Sequence, residues 1–423
     1  MNTGDTAWVL ISTGLVLFMT IGLALFYGGM VRSQHVLSMI LQNVLCIGVV
    51  TLIWLVLGFS LAFDGANSIL GGIRFIGLHG LDKTSIPGFT GTHALTVPPL
   101  AFFHYHMMFA IITPALITGA TADRMRLRSW ALFVAIWSLL VYSPVAHWVF
   151  SPTGWLAKLG VLDFAGGLVV HTTAGAAALA VVIVLGPRRG WPNSLKQSRP
   201  NSMPLMLLGT GILWFGWFGF NAGSALGANL LAVHALVNTQ VAGAAGMATW
   251  LLAERFSAGS VTSLGGASGA IAGLAAVTPG AGFVNPLGAV VIGALADIVC
   301  LYCTQLKYVF RYDDALDVVG VHLVGGVLGT VLVGVFADRS VNPLVRAGLF
   351  YGGGLHLLGL QVLAVVVVFA FAFVMSFLIA KLIAITIGLR VSAKEEDDGL
   401  DISELLEMAY NPPHFVQEQE EEH

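Results

Sequence analysis

Two stretches of the chain set an aspartate eight residues ahead of a histidine inside otherwise apolar sequence. The first is DFAGGLVVHTTAG, with Asp163 and His171; the second is DALDVVGVH, with Asp314 and His322. A glycine follows each histidine by four residues, at Gly175 and Gly326. A neutral imidazole carries one hydrogen-bond donor and one acceptor, and it can exchange a proton at physiological pH. Held in hydrocarbon, an ionisable group costs several kcal/mol, so it persists only where it lines a cavity or finds a partner. One such histidine reads most simply as a packing residue bonded to a nearby carbonyl. Two in matched contexts point to a facing pair lining a narrow path for a small hydrogen-bonding solute.

The elements that must position them are long apolar helices. Of 423 residues, 57% are hydrophobic and only 10% charged, against about 25% charged in a soluble globular chain. Runs of roughly 20 apolar residues, enough to cross a bilayer, recur from end to end. Eleven spans are expected, at 8–31, 37–62, 96–122, 128–149, 163–186, 203–222, 229–253, 263–279, 285–305, 315–337 and 358–388. No basic segment precedes the first and no small-residue cleavage pattern follows LALFYGGM, so it reads as a retained helix rather than a signal peptide. The expected fold class is an all-α polytopic membrane protein.

The two Asp–His pairs fall in spans five and ten. Five helices per half insert the halves in opposite orientation, the inverted-repeat plan of many transporters, with a long eleventh helix appended. Eight residues at 1.5 Å rise carry each histidine about 12 Å deeper than its aspartate, so both reach the midplane from opposite sides. With the N-terminus outside, inward-facing segments hold thirteen lysines and arginines and outward-facing ones five. That bias favours an external N-terminus and an internal C-terminus.

Of 22 acidic residues, 11 lie after Lys394. An end this polar is expected not to bury itself: residues 390–423 read as a cytosolic tail behind a helical domain at 1–389, partly helical around ISELLEMAY. Solvation and docking are both open roles for it. Asp297 is an acid inside span nine, either functional or a partnered structural aspartate. Cys300 and Cys303 read as small buried residues, and His104 with His106 as vestibule polarity, since two ligands do not make a metal site. No GxxxxGK[ST] loop, nucleic-acid feature or nucleophile–base–orienter set is visible. No enzyme activity, cofactor or resident metal is expected.

The chain resembles the ammonium transporter family, the Amt, Mep and Rhesus-type proteins. DFAGGLVVHTTAGAAALAVVIVLGPRR is similar to the family's signature region, as are WFGWFGFNAGSAL in span six and DDALDVVGVHLVGG entering span ten. The likeness extends over residues 7 to 412. It implies an eleven-helix bundle, usually a homotrimer with one narrow pore per subunit. His171 and His322 would be the twin pore histidines, and Asp163 the aspartate below the external entrance, acting indirectly by capping backbone donors. Phe109 and Phe220 would close the outer mouth, and Ser224 would be the hydroxyl of the recruitment site. Asp314 and Asp317 match family positions at the inner helix ends, while Trp214 and Trp217 read as wall residues.

Three positions depart from the family's pattern. Tyr105 stands where many relatives have phenylalanine, and His106 where glutamine is common. The tryptophan that completes the external cage in most bacterial members is replaced by Phe150 or Ser151, with Trp148 and Trp155 nearby. Tyr105 and Phe150 are counted with the recruitment residues. The resemblance implies recruitment of ammonium outside, deprotonation at the gate and passage as ammonia, with the proton returned or carried along. A trimeric PII-type signal protein is a possible partner at the cytoplasmic face. The alternative is an ammonium sensor whose output domain follows residue 423.

Overall fold

The computed structural model describes residues 1–81, 85–91, 94–193 and 200–410. Among these the backbone is helix and loop, with one isolated antiparallel bridge between Met125 and Arg390. The spanning helices are α1 (Thr3–Met30), α2 (Ser33–Phe63), α3 (Pro99–Thr121), α4 (Leu127–Leu159, broken by a turn at 151–154), α5 (Gly167–Leu185) and α6 (Met203–Gly223). There follow α7 (Leu230–Ala258), α8 (Ser263–Val277), α9 (Pro286–Cys303), α10 (Val319–Phe336) and α11 (His356–Thr386). Ten apolar helices among the described residues are long enough to cross a membrane. The other, α8, has 15 residues and is prolonged by a 3₁₀ turn at Thr278–Gly280; apart from Ser268 it is buried from Gly265 onward. All eleven expected segments are helical.

Local chemistry explains most of the boundaries. Ser202, Asn229, Thr262 and Asn285 begin α6 to α9, each side chain accepting from the N–H three residues on. Such caps satisfy donors that a helix cannot pair by itself. Small residues let the helices approach: a β-carbon on Gly209 of α6 would lie 2.7 Å from the carbonyl of Gly22 in α1. That close contact between helix backbones is the membrane mode of packing. Several boundaries differ from expectation: α1 begins at Thr3 rather than at 8, and α7 runs on to Ala258 rather than 253. Helices α5 and α10 start at Gly167 and Val319, four residues after the expected 163 and 315, where the N–H groups that bond Asp163 and Asp314 lie.

The N-terminus and the tail lie at opposite ends of the bundle. The Asn2 N–H bonds Thr96 before α3, whereas Arg32, just past α1, bonds Asp123 and the carbonyl of Glu396. Of the two roles left open for the tail, its described part, up to residue 410, takes docking. It forms α12 (Ala393–Asp398) and α13 (Leu400–Leu405), the second shorter than the helix expected there and the first not foreseen. Glu396 and Asp401 are each 1% exposed. The reason is a supply of donors that acidic side chains can use. Asp401 accepts from the N–H groups of Leu37 and Ser38 at the start of α2, and Glu404 from that of Leu127 at the start of α4. Glu396 pairs with Arg390 at 2.6 Å and accepts from the Arg189 N–H. Helix N-termini favour carboxylates electrostatically as well as by hydrogen bonding. Residues 411–423, and the Lys83, Lys196 and Arg199 used to argue orientation, lie outside the described residues.

Beneath the tail sits a buried ion network. Asp123 faces Arg32 at 3.2 Å and Arg188 at 3.6 Å; Asp313 faces Arg188 at 2.9 Å and Arg124 at 3.9 Å. Burial alone would push the Asp123 carboxyl up, but His35, Arg188, Arg32 and Arg124 together hold it below the ordinary range. Asp313 is held down in the same way, against its burial, by Arg124 and Arg188. A carboxylate whose folded pKa is depressed contributes stability above its unfolded pKa, near 3.9, and that stability is lost as pH falls through the folded value. The thermal midpoint of purified protein is therefore expected to owe these groups no change between about pH 7 and pH 5, and to fall below about pH 4. In Asp313→Asn the midpoint at neutral pH is lower and the acid drop smaller; an acid drop of wild-type size would remove Asp313 from this role.

Candidate functional site

Each histidine rides on the same local device. Asp163 accepts from four backbone N–H groups, Gly166 and Gly167 on Oδ1 and Leu168 and Val169 on Oδ2, at 2.7–3.1 Å. Asp314 accepts from Val318 at 3.1 Å and Val319 at 2.7 Å. In both segments the third residue after the aspartate is left-handed, Gly166 at φ 115° and Asp317 at φ 61°. Glycine takes that conformation freely; an aspartate there is unusual, and Asp317 is tied by Lys307 Nζ at 2.7 Å. Each histidine then lies in a π-helical turn, Gly167–Thr172 or Val319–Leu323. Turns of this kind recur at functional sites.

The two glycines after the histidines bring the turns together. A β-carbon on Gly175 would meet the Cα of Leu323 at 2.6 Å, and one on Gly326 would lie 2.8 Å from the Cβ of His171. Each glycine thus packs against the other helix's histidine turn. The imidazoles stack with centroids 5.3 Å apart and planes 11° apart. Neither ring nitrogen of His171, nor Nδ1 of His322, has a hydrogen-bond partner among the described residues. Buried polar atoms usually do, so this pair presents unused donors and acceptors to whatever lies beside it.

Three cavities are arranged along this axis. A vestibule is lined by Phe102, Tyr105, His106, Phe109, Phe150, Asp163 and Ser224, among others. Below it Phe109 and Phe220 stack at 4.2 Å and close the way. Next comes a narrow chamber bounded by Phe220, Trp217, His171 and His322, with Leu23, Leu213 and Ile271. A third cavity, toward the tail end, shares Phe26, Ile271 and His322 with the chamber and adds Ser268 and Asp317. The order is a polar bowl, an aromatic plug, a histidine-lined slot and an exit.

The remaining expected residues fall as follows. The Tyr105 hydroxyl is buried against the carbonyls of Gly219 and Phe220, both at 2.9 Å, and lies 3.2 Å from Ser224 Oγ. It fixes the end of α6 under the vestibule. Phe150 lines the vestibule with its ring 6.4 Å from Phe109, whereas Ser151 is buried in a turn with Thr153. Trp148 turns away to bond Ile69 and pack on Phe371, with Trp155 beside it. Trp217 is a wall, stacked 5.5 Å from His171, but Trp214 bonds Gln240 on the outside. His104 is exposed while His106, two residues on, faces the vestibule, so the two do not converge. Asp297 is fully buried in a slot that Gly246 and Gly269 leave open, away from these cavities, and neither oxygen has a hydrogen-bond partner among the described residues. Phe26 and Ile271, which narrow the way past His322, were missed, because an apolar lining residue carries no signal that distinguishes it from core.

A membrane-spanning helical bundle with aligned cavities and a histidine-lined constriction defines a transporter or channel class. The comparisons narrow it. Residues 7–410 match the model of the Ammonium Transporter Family. An ammonium transporter of Mycobacterium tuberculosis is 46% identical over 434 residues, spanning 96% of this chain and 90% of its own. The structure of Mep2 from Candida albicans superimposes with a TM-score of 0.87 at 32% identity, covering 93% of this chain and 88% of that one. A protein described as a Sensor Amt Protein superimposes with a TM-score of 0.86 at 30% identity, covering 95% and 98%. The chain belongs to the ammonium transporter family.

Two substitutions test the device. Gly326→Val places methyl groups where the His171 turn sits, and overpacking of this kind costs about 1–3 kcal/mol; a lowered unfolding midpoint is expected, together with loss of the stacked pair. Asp163→Ala strips four backbone donors of their acceptor, at about 1–3 kcal/mol for each donor left unsatisfied. It is expected to abolish either folding or ammonium uptake. Uptake and midpoint at wild-type levels would remove Asp163 from the site.

Proposed function

We propose that the protein moves ammonium across the membrane by taking it up at the vestibule, removing one proton at the aromatic plug and passing ammonia along His171 and His322. The observation that carries this reading is the column Phe109, Phe220, His171, His322, in which the imidazoles keep nitrogens free between two cavities. Ammonium at neutral pH is a cation, and aromatic faces attract a cation by about 0.5–2 kcal/mol. Phe109 and Phe150 supply faces and Ser224 an oxygen. Potassium has the same charge but no hydrogen to donate, and it cannot shed a proton to pass the plug. Asp163 acts indirectly, since its four bonds hold the His171 turn in place and its charge biases the vestibule toward cations.

The vestibule faces outward in this reading and the docked tail faces the cytoplasm, in line with the lysine and arginine bias. The protein assembles as a homotrimer with one path per subunit. The tail, which caps α2 and α4 and covers the arginine network, is the element through which a PII-type protein would act. A second reading, ammonium sensing with an output domain after residue 423, is favoured by the likeness to the Sensor Amt Protein. The higher identity to transporters weighs against it.

The test uses the full chain in liposomes on a supported membrane, pulsed with ammonium and then potassium. A saturable response to ammonium alone supports transport, read as a current or as a change in internal pH. Saturable binding with neither signal would favour sensing. In the double variant His171→Ala, His322→Ala, the proton-coupled current is expected to vanish; an undiminished current would refute the histidine relay.

A further inference from the structure

The vestibule contains a basic nitrogen that the account above leaves without work. His106 Nδ1 lies 3.1 Å from the carbonyl of Phe102, one turn back in α3. A carbonyl only accepts, so Nδ1 must carry the hydrogen and the lone pair of the neutral ring must sit on Nε2. Among the described residues Nε2 has no hydrogen-bond partner, the side chain is partly exposed, and the residue lines the vestibule. The other titratable side chains lining this cavity, among the described residues, are Tyr105 and Asp163. The Tyr105 hydroxyl is committed to backbone carbonyls. A carboxylate offers about four acceptor positions, and Asp163 spends its oxygens on four N–H groups.

Four phenylalanine rings surround the imidazole. Phe102 lies 4.1 Å from the imidazole, Phe63 at 4.8 Å, Phe150 at 5.9 Å and Phe109 at 6.1 Å, centroid to centroid. Aromatic faces stabilise a cation, and the bond from Nδ1 to Phe102 persists in both protonation states. Phe109 is itself one leaf of the plug, so the imidazole stands beside the closure, its centroid 6.1 Å from that ring.

We propose that His106 Nε2 is the base that deprotonates ammonium at the plug. One N–H bond of ammonium breaks and its electron pair stays on nitrogen, leaving ammonia, while the proton forms an Nε2–H bond. The imidazolium then releases that proton to water in the vestibule, the pool from which any proton following the ammonia is drawn. The step rests on the transport reading and assigns its first chemical event to a residue of this chain; a glutamine in its place could not take a proton.

The experiment measures ammonium flux in proteoliposomes for wild type, His106→Gln and His106→Ala. Glutamine still accepts a hydrogen bond, so His106→Gln is expected to keep KM within about threefold while the maximal rate falls about 100-fold or more, the usual share of a general base. Imidazole added outside is expected to restore flux in His106→Ala in proportion to its neutral fraction, which repair of a packing defect would not do. A wild-type maximal rate in His106→Gln, or a rise in KM alone, overturns the proposal, as does failure of imidazole to rescue. If wild type itself binds ammonium without moving it, the transport reading falls and the base falls with it; flux in wild type with an unimpaired His106→Gln rejects the base alone.

Discussion

The structure turns on the crossing of α5 and α10, where Gly175 lies on the turn of His322 and Gly326 on the turn of His171. With glycine at both contact points the two turns come close enough for the imidazoles to stack at 5.3 Å. The contact is reciprocal because the halves of the bundle are inverted copies. In membranes, where lipid tails remove much of the hydrophobic drive, close packing of small residues is what holds such a crossing.

From that crossing the other features follow. A histidine at the crossing must enter on a stretch that is not yet helix, so its aspartate stays behind to bond the exposed N–H groups. The two caps occupy the same place before their turns, with four backbone donors on Asp163 and two on Asp314, and they differ in surroundings. Asp163 borders the vestibule, whereas Asp314 lies among Lys307, Asp313 and the arginine network beneath the tail. The same device therefore opens to solvent at one end and is locked by charge at the other. The tail reinforces the lock by spending Asp401 and Glu404 on the first turns of α2 and α4.

Much of this was legible in the sequence because membrane spans are long and their apolar signal is strong. The Asp-x₇-His spacing repeated with its trailing glycine announced the paired site, and inversion followed from counting helices. What was not legible depended on contacts between distant segments. The acidic tail leaves solvation and docking both open, and nothing near Asp401 in sequence reveals that the N-terminus of α2 lies beside it. The choice between Phe150 and Ser151 at the vestibule was settled only by the turn that buries Ser151. Asp297 remained ambiguous for the opposite reason, since its glycine slot comes from two other helices. His106 could be placed at the vestibule from sequence, but its lone pair is aimed by a backbone bond that spacing does not reveal.

The central claim is that His171 and His322 form one facing pair with nitrogens free to meet the solute. Solid-state NMR of ¹⁵N-histidine-labelled protein in bilayers addresses it directly. The account predicts a through-space contact between the two imidazoles and a joint shift of their ¹⁵N signals when ammonium is added, with none for potassium. Rings that show no mutual contact, or signals that ignore ammonium, would contradict it.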